Sequence, residues 1–456
     1  MYKSIKTLNT AKIGLDDTIA AISTPLGQAG IGIVRLSGKD ALSIVDKIFV
    51  SKENKKPSKF KTYTTHYGWI VNGYKLQATS YKRKIKNLKP VACSLKPEII
   101  DEVILTIMRA PKSYTKEDVV EINCHSGFLP LRKILDLVLK KGARLAEPGE
   151  FTQRAFINGR IDLTQAEAVL DIINAKTDQA LEIGVSQLKG ELSKEIDFIR
   201  NELLEVLAYL EAEIDFPEEE IDKLSLKQQT ARLIKTKKQI EKLLETAEQG
   251  KIMREGINVV ICGKPNVGKS SLLNTLIKQE KAIVTHIPGT TRDIVEEVIN
   301  LKGIPLRFVD TAGIIEPKDL IEKEAIKRSH QQINNCDLAL LLFDQGQRLS
   351  AQDKILVENL KGKNVIFVVN KIDLPSKINA AKLKSIAKNS KIIKISVLRK
   401  FGIKNLEEAI IKNIWQGKFK DRKGVFLSNI RHIQALKNSL EQINKTLAII
   451  SGKIST

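Results

Sequence analysis

Between Leu163 and Glu255 apolar residues recur at the i, i+3, i+4, i+7 spacing that gathers them on one helical face. The pattern runs through QAEAVLDIINAKTDQALEIGVSQL, LSKEIDFIRNELLEVLAYLEAEIDF and LKQQTARLIKTKKQIEKLLETAEQG, and predicts long helices broken at Pro217. Ahead of them, TIAAISTPLGQAGIGIVRL alternates β-branched residues around a Gly-rich turn. EIIDEVILTIM and DVVEINCHS repeat that style, which predicts a mixed α/β segment ending near residue 157. From Ile257 the apolar strands INVVICG, LRFVD, LALLLFD, VIFVVNKID and IIKISV alternate with helical stretches, the pattern of a doubly wound α/β domain. After Trp415 a helical pattern resumes in NIRHIQALKNSLEQINKTLAII, so the α/β module is predicted as an insertion in a helical domain.

A chain of 456 residues exceeds what one hydrophobic core holds. The predicted division is 1–157 as an N-terminal α/β domain, 158–255 as the first part of a helical domain, 256–415 as the inserted module and 416–456 as the second helical part. A total of 75 Lys and Arg against 53 Asp and Glu leaves a net charge of +22. That balance suits a polyanionic partner, and it equally suits a lysine-rich solvated surface. In residues 73–97, Lys82, Arg83, Lys84, Lys86 and Lys89 have no acidic neighbour; the stretch reads as an inserted surface loop, with an RNA-binding arm as the alternative. Cys93, Cys124, Cys262 and Cys336 form no CxxC pair and read as reduced thiols of a cytoplasmic protein. The N-terminus has no continuous apolar segment and LALLLF is too short to span a bilayer, so no membrane association is expected.

GKPNVGKS, Gly263 to Ser270, fits GxxxxGK[ST] between a strand and a helix. Such a loop turns its N–H groups toward phosphates, here with Asn266, Val267, Gly268, Lys269, Ser270 and Ser271 around them. Lys269 reaches the outer phosphates and Ser270 can ligate Mg²⁺. DTAG, spanning Asp310, Thr311, Ala312 and Gly313, ends a strand and brings a carboxylate near the metal and an amide near the γ-phosphate. NKID supplies Asn370, Lys371 and Asp373, whose carboxylate can accept two N–H bonds from a guanine edge, which makes the nucleotide GTP. THIPGTT brings Thr285, His286, Ile287, Pro288, Gly289, Thr290 and Thr291, the last placed to close on Mg²⁺ as a switch. Ser396, Val397 and Leu398 stand where such domains usually carry Ser-Ala. Ile314 follows DTAG in place of a Ras-like Gln, so the attacking water must be oriented by another residue. Charge neutralisation can come from an external arginine or a monovalent cation. Asn266 could offer its side-chain carbonyl to the cation or be only a turn residue.

The chain resembles the bacterial tRNA modification GTPase family MnmE, also called TrmE. The resemblance runs from DTIAAISTPLGQAGIGIVRLSG through SYTKEDVVEINCHSG, PGEFTQRAFINGRIDLTQAEAV and EAEIDFPEEEI to the GTPase motifs and NIRHIQAL. It implies a folate-binding, dimerising N-terminal domain, a helical domain and an inserted GTPase domain. It further implies a 5-formyl- or 5,10-methylene-tetrahydrofolate donor and a homodimer that joins an FAD-dependent partner subunit in a heterotetramer. The implied product is a carboxymethylaminomethyl or aminomethyl group on the wobble uridine of certain tRNAs. Arg35, Glu121 and Arg160 match folate-contacting positions; read alone, they are a strand arginine and structural ion-pair partners. Asn266, Thr285, Ile287 and Thr290 match positions that hold K⁺, Ile287 through its backbone carbonyl, and Glu322 matches a position implicated in orienting water through an intermediary.

Three departures accompany this resemblance. CHSG puts Ser126 where the family usually has Gly, which is expected to alter a turn. The basic stretch 73–97 lengthens the first domain. The chain stops at LAIISGKIST where the family continues to a Cys-Ile-Gly-Lys tail, so one alternative is a GTPase that no longer modifies tRNA. A ribosome-assembly RNA-binding GTPase is the other, although no KH-type GxxG pattern follows residue 415.

Overall fold

A computed structural model describes residues 16–78, 93–215, 226–279, 297–308, 333, 335–387, 390–415 and 424–451. The chain divides into two compact units, Met1–Ala166 and Glu167–Thr456.

In the first unit, strands β1 (Ile19–Ile22), β2 (Ala29–Ser37), β3 (Phe49–Ser51), β4 (Thr64–Ala78), β5 (Cys93–Met108), β6 (Val119–Ser126) and β7 (Arg144–Leu145) form a sheet in the order β3-β4-β5-β6-β2-β1-β7. Alternation along the strands sends Val34, Leu36, Val103, Leu105, Ile107, Val120 and Ile122 to one face. There they pack with helices α1 (Ala41–Val45) and α2 (Phe128–Lys140) through Ile44, Leu131, Ile134 and Val138. Burial of each large aliphatic side chain contributes about 1.5–3 kcal/mol. Helix α3 (Glu150–Ile157) is tied down by Arg154, which is fully buried. Its guanidinium donates to the Asp17 carbonyl at 2.9 Å and lies within 3.3 Å of the carboxylates of Asp17, Glu150 and Glu117.

Two sequence expectations change here. Residues 73–78 and 93–97 are not loop: they extend β4 and β5 as an antiparallel ribbon, with Tyr74 opposite Pro97 and Ala78 opposite Cys93. Cross-strand pairing supplies the backbone bonds that a lysine-rich, weakly alternating sequence does not advertise. The basic tip, with Lys82 to Lys89, lies outside the described residues. Ser126 alters no turn. It stays in β6 outside the left-handed region, and its hydroxyl donates to the Gly27 carbonyl at 3.1 Å.

From α4 (Leu163–Asn174) onward, which begins at the end of the first unit, two of the long helical patterns prove to be split. Helix α4 gives way to α5 (Asp178–Leu188) because Thr177 turns extended and its hydroxyl accepts the Ala180 N–H at 3.1 Å, capping the second helix. After α6 (Glu191–Asp215), α7 (Leu226–Leu244) yields to α8 (Ala247–Glu255) at Thr246. The Thr246 hydroxyl donates back to the Leu243 carbonyl at 2.7 Å and accepts the Leu427 N–H at 3.1 Å. Helices α6 and α7 pack with the C-terminal helix, here called αC (Ile430–Ile450), through Leu192, Ile199, Leu233, Ile240, Leu436 and Ile443.

The start of αC meets α4 in a polar knot. Glu167 accepts from Arg431 Nε and Asn429 Nδ2, both at 2.9 Å, and lies 2.8 Å from His432 Nε2. Arg254 of α8 joins it by donating to Asp171 at 2.8 Å and to the Ser428 carbonyl at 3.3 Å. Burial holds His432 below its ordinary pKa despite the Glu167 carboxylate.

The inserted module is a second sheet, ordered β13-β12-β11-β8-β10-β9. It comprises β8 (Ile257–Gly263), β9 (Glu297–Leu301), β10 (Ile304–Phe308), β11 (Leu338–Asp344), β12 (Val365–Asn370) and β13 (Ile392–Lys394). All neighbours run parallel except the β9–β10 hairpin. The chain starts at β8 in the middle, runs out to the edge strand β9, comes back to β10 beside β8, then crosses to β11 on the other side. That reversal is the switch point at which such sheets hold ligands. A single residue, Gly256, joins α8 to β8; its φ is +78° and a Cβ there would lie 2.3 Å from the Pro305 carbonyl oxygen.

Candidate functional site

The loop after β8 crosses the switch point and enters α9 (Lys269–Gln279). Gly268 stands at φ +100°, and a Cβ there would come within 2.4 Å of Asn370 Nδ2, so glycine is required both by conformation and by space. Asn266 is left-handed at φ +62°, a conformation asparagine tolerates, with its side chain exposed. Lys269 folds back and donates from Nζ to the carbonyls of Gly263 and Lys264, both at 2.8 Å. Burial lowers its pKa, so an arriving phosphate would restore a favourable partner for the ammonium. Ser270 and Ser271 lie exposed in the first turn of α9, where the helix N-terminus favours anions. Beneath the loop, Cys262 is buried and its thiol is pushed up to about 12, which leaves it an inert packing group.

Asn370 links this loop to the base end of the site. Its Nδ2 donates to the Val267 carbonyl at 2.8 Å, and its Oδ1 accepts the Val397 N–H at 3.1 Å. Lys371, left-handed at φ +63°, donates to the Asn266 carbonyl at 2.8 Å and to Asp344 at 2.7 Å. Asp373 accepts the hydroxyl of fully buried Ser396 at 2.5 Å, and that bond is the main cause holding its carboxyl below the usual range. The loop around Ser396 is closed by two 3.0 Å backbone bonds with Phe401, and Leu398 is 84% exposed beside it. The Ser-Val-Leu sequence thus retains a serine that orients Asp373, and Val397 contributes through its backbone.

Two contributors escaped the sequence reading. Asp344, buried at the end of β11, holds Lys371 and also accepts the Gly346 N–H at 2.8 Å. Lys264 pairs with buried Asp353 at 2.9 Å and so ties the loop to the helix Ala351–Asn359. The only trace of the first is the Asp that closes the apolar run LALLLFD; nothing in sequence marks the second. Thr285, His286, Ile287, Pro288, Gly289, Thr290, Thr291, Asp310, Thr311, Ala312, Gly313 and Glu322 lie outside the described residues.

In the first unit, Arg35 and Glu121 stand opposite one another in the β2–β6 register, and both Nε and an NH₂ nitrogen of Arg35 lie 2.8 Å from Glu121 Oε1. Arg35 also sits 5.6 Å from the Phe151 ring centroid. The next residue on α3, Thr152, is bonded to the Tyr114 hydroxyl at 2.9 Å, and Arg160 lies 4.8 Å from the Tyr114 ring centroid. Arg35 and Glu121 are thus directly paired, and Arg160 is linked to them indirectly, through Tyr114 and the α3 residues Thr152 and Phe151. The pair lies on the sheet face that α1 and α2 leave uncovered, with Phe151 beside it, while Arg160 rests on Tyr114.

A phosphate loop at the switch point, with Asn370, Lys371 and Asp373 closing the base end, defines a P-loop GTPase mounted on a helical module. The profile described as the MnmE helical domain matches residues 163–455, and that of the GTP-binding protein TrmE N-terminus matches residues 18–160. A tRNA modification GTPase MnmE of Alkaliphilus oremlandii is 44% identical over 96% of this chain and 91% of its own length. Proteins of the same name from Bacillus velezensis and Bacillus subtilis are 46% identical over 94% of this chain and 90% of theirs, and 44% identical over 96% and 91%. Among solved structures, Aquifex aeolicus Era Y63A bound to GDP.AlF4- overlays 38% of this chain and 60% of that chain at 32% identity, with a TM-score of 0.28. The chain belongs to the MnmE (TrmE) family of tRNA modification GTPases. That membership displaces the ribosome-assembly reading, and among the described residues those after Asn429 form the single helix αC rather than a KH-type module.

Proposed function

We propose that this GTPase is potassium-dependent and works as a homodimer with an FAD-dependent partner subunit. Together they add a carboxymethylaminomethyl or aminomethyl group at C5 of the wobble uridine of certain tRNAs. The observation that supports the reading is that relatives of this name match at 44–46% identity over 94–96% of this chain and 90–91% of their own length, a stretch that takes in the N-terminal, helical and GTPase parts. No helix among the described residues is long and apolar enough to cross a membrane, which suits a cytoplasmic site of action.

The residues fit the groups this function requires. Ser270, exposed in the first turn of α9, would hold Mg²⁺ with Thr291, and the exposed Asn266 side chain would hold K⁺ with Thr285, Thr290 and the Ile287 carbonyl. The cation would supply charge neutralisation at the γ-phosphate; Lys269 grips the outer phosphates and Glu322 orients the attacking water through an intermediary. Arg35 and Arg160 suit the glutamate carboxylates of a reduced folate, Glu121 suits a pterin N–H edge, and Phe151 and Tyr114 offer stacking faces.

GTP turnover measured in KCl and in NaCl tests the cation assignment: turnover several-fold or more higher in KCl is expected, and equal rates would remove it. Mass spectrometry of wobble uridines in a host lacking its own copy, complemented by this chain, tests the modification.

A further inference from the structure

Strand β6 carries Glu121, Asn123 and His125 on the open face of the N-terminal sheet, the first two half-buried and His125 exposed. Glu121 belongs to the folate candidates, whereas His125 has no role so far. Its side chain is 70% exposed, while that of its partner Asp101 is 11% exposed. Asp101 Oδ1 lies 2.7 Å from His125 Nδ1, and Oδ2 accepts the backbone N–H of the same residue at 2.9 Å. The Glu102 N–H, at 2.9 Å, fixes the carboxylate from a third side. A carboxylate only accepts, so Nδ1 carries a proton and the neutral ring keeps its lone pair at Nε2. Nε2 has no protein partner among the described residues.

An ion pair between two exposed side chains contributes little and needs no such support. Here a shielded carboxylate is held by three bonds and fixes one tautomer of a ring left open at its other nitrogen, the arrangement that prepares an imidazole for proton transfer. The charged groups facing it are Asp101 and Glu102 of β5; the Asp101 bond is the chief cause raising its pKa above the ordinary 6.5. Four residues of strand separate His125 from Glu121, about 13 Å at the usual rise. A reduced folate is elongated. Held by its pterin edge at Glu121 and laid along β6, it would bring the amine nitrogens that carry its one-carbon unit toward His125, over a floor that includes exposed Ile104 and Tyr67.

We propose that His125, oriented by Asp101, is a proton-transfer residue of the one-carbon chemistry, an inference that rests on the folate reading above. The protonated ring gives its Nε2 proton to the amine nitrogen from which the carbon departs. The C–N bonding pair goes to that nitrogen, and the lone pair of the second amine nitrogen, already bonded to the carbon, closes a C=N⁺ double bond to it. Water adds to the carbon, which leaves as formaldehyde, and Nε2 takes back the proton that the water gives up. No oxidant or reductant is needed.

The test uses the full chain, H125N, H125Q and D101N. Calorimetry with 5-formyl-tetrahydrofolate reads binding, incorporation of labelled formaldehyde into 5,10-methylene-tetrahydrofolate reads the proton-dependent step, and NMR reads the His125 titration. Both His125 variants are expected to bind within about twofold of the parent while exchange falls on the order of 10²-fold. D101N is expected to bring the His125 midpoint down toward about 6.5. A parent chain that binds no folate overturns the folate reading and this inference with it. A parent that binds folate but shows no exchange above the uncatalysed rate, or His125 variants that exchange like the parent, overturns this inference alone. Loss of binding in both variants makes His125 an anchor, and that also overturns it.

Discussion

Asp373 shows how one side chain's surroundings prepare it before any ligand arrives. The Ser396 hydroxyl holds the carboxylate in place and keeps it ionised below the usual range, so it is ready to accept two donors from a guanine edge. Asp373→Asn replaces an acceptor pair by one acceptor and one donor, and a charge-assisted bond is worth about 1.5–3 kcal/mol. GTP binding by this variant, followed with a fluorescent analogue, is expected to weaken roughly 10- to 100-fold, with little change in the fold because Asp373 is only half-buried. Ser396→Ala is expected to weaken binding less, since it removes orientation and leaves the carboxylate. These residues were legible in sequence because their spacing is fixed by a strand end. Asp344 and Lys264 were not, because each acts across elements that meet only in the folded sheet.

Whole elements were read correctly where one period governed them and incorrectly where a single polar residue overrode it. The apolar spacing continues through Thr177 and Thr246, yet each threonine satisfies backbone groups more locally than the helix does and ends one turn early. Thr177→Ala is expected to cost about 1 kcal/mol, seen as a lower denaturation midpoint with little change in helix content. The β4–β5 ribbon was missed for the opposite reason: its strand character lies in pairing, and pairing has no signal in one strand alone.

The α4–αC knot adds a pH dependence. His432, facing Glu167, Arg431 and Arg254, titrates lower when folded than when unfolded. The unfolded chain therefore takes up a proton first as pH falls through about 6.5, and stability drops from there until the folded pKa is passed. Melting temperatures at pH 7.5 and 5.5 are expected to differ less in His432→Gln than in the parent; an equal difference would remove His432 as the cause.

At the scale of the whole molecule the net charge of +22 suits the tRNA that the family's name implies, a polyanion. Binding of tRNA is expected to fall on the order of 10²-fold between about 50 and 200 mM KCl, as bound counterions are released, and salt-independent binding would contradict a phosphate-led contact. The order of the three parts was legible because their periods differ so sharply, but the tightness of their junction was not. With only Gly256 between α8 and β8, and the Pro305 carbonyl filling the space where a side chain would begin, that seam has no slack. An engineer wishing to excise the nucleotide-binding part for separate study, or to transplant it, should cut upstream of Thr246 and carry α8 along. A scissile point at the seam itself would strip β8 of the helix that anchors its first residue.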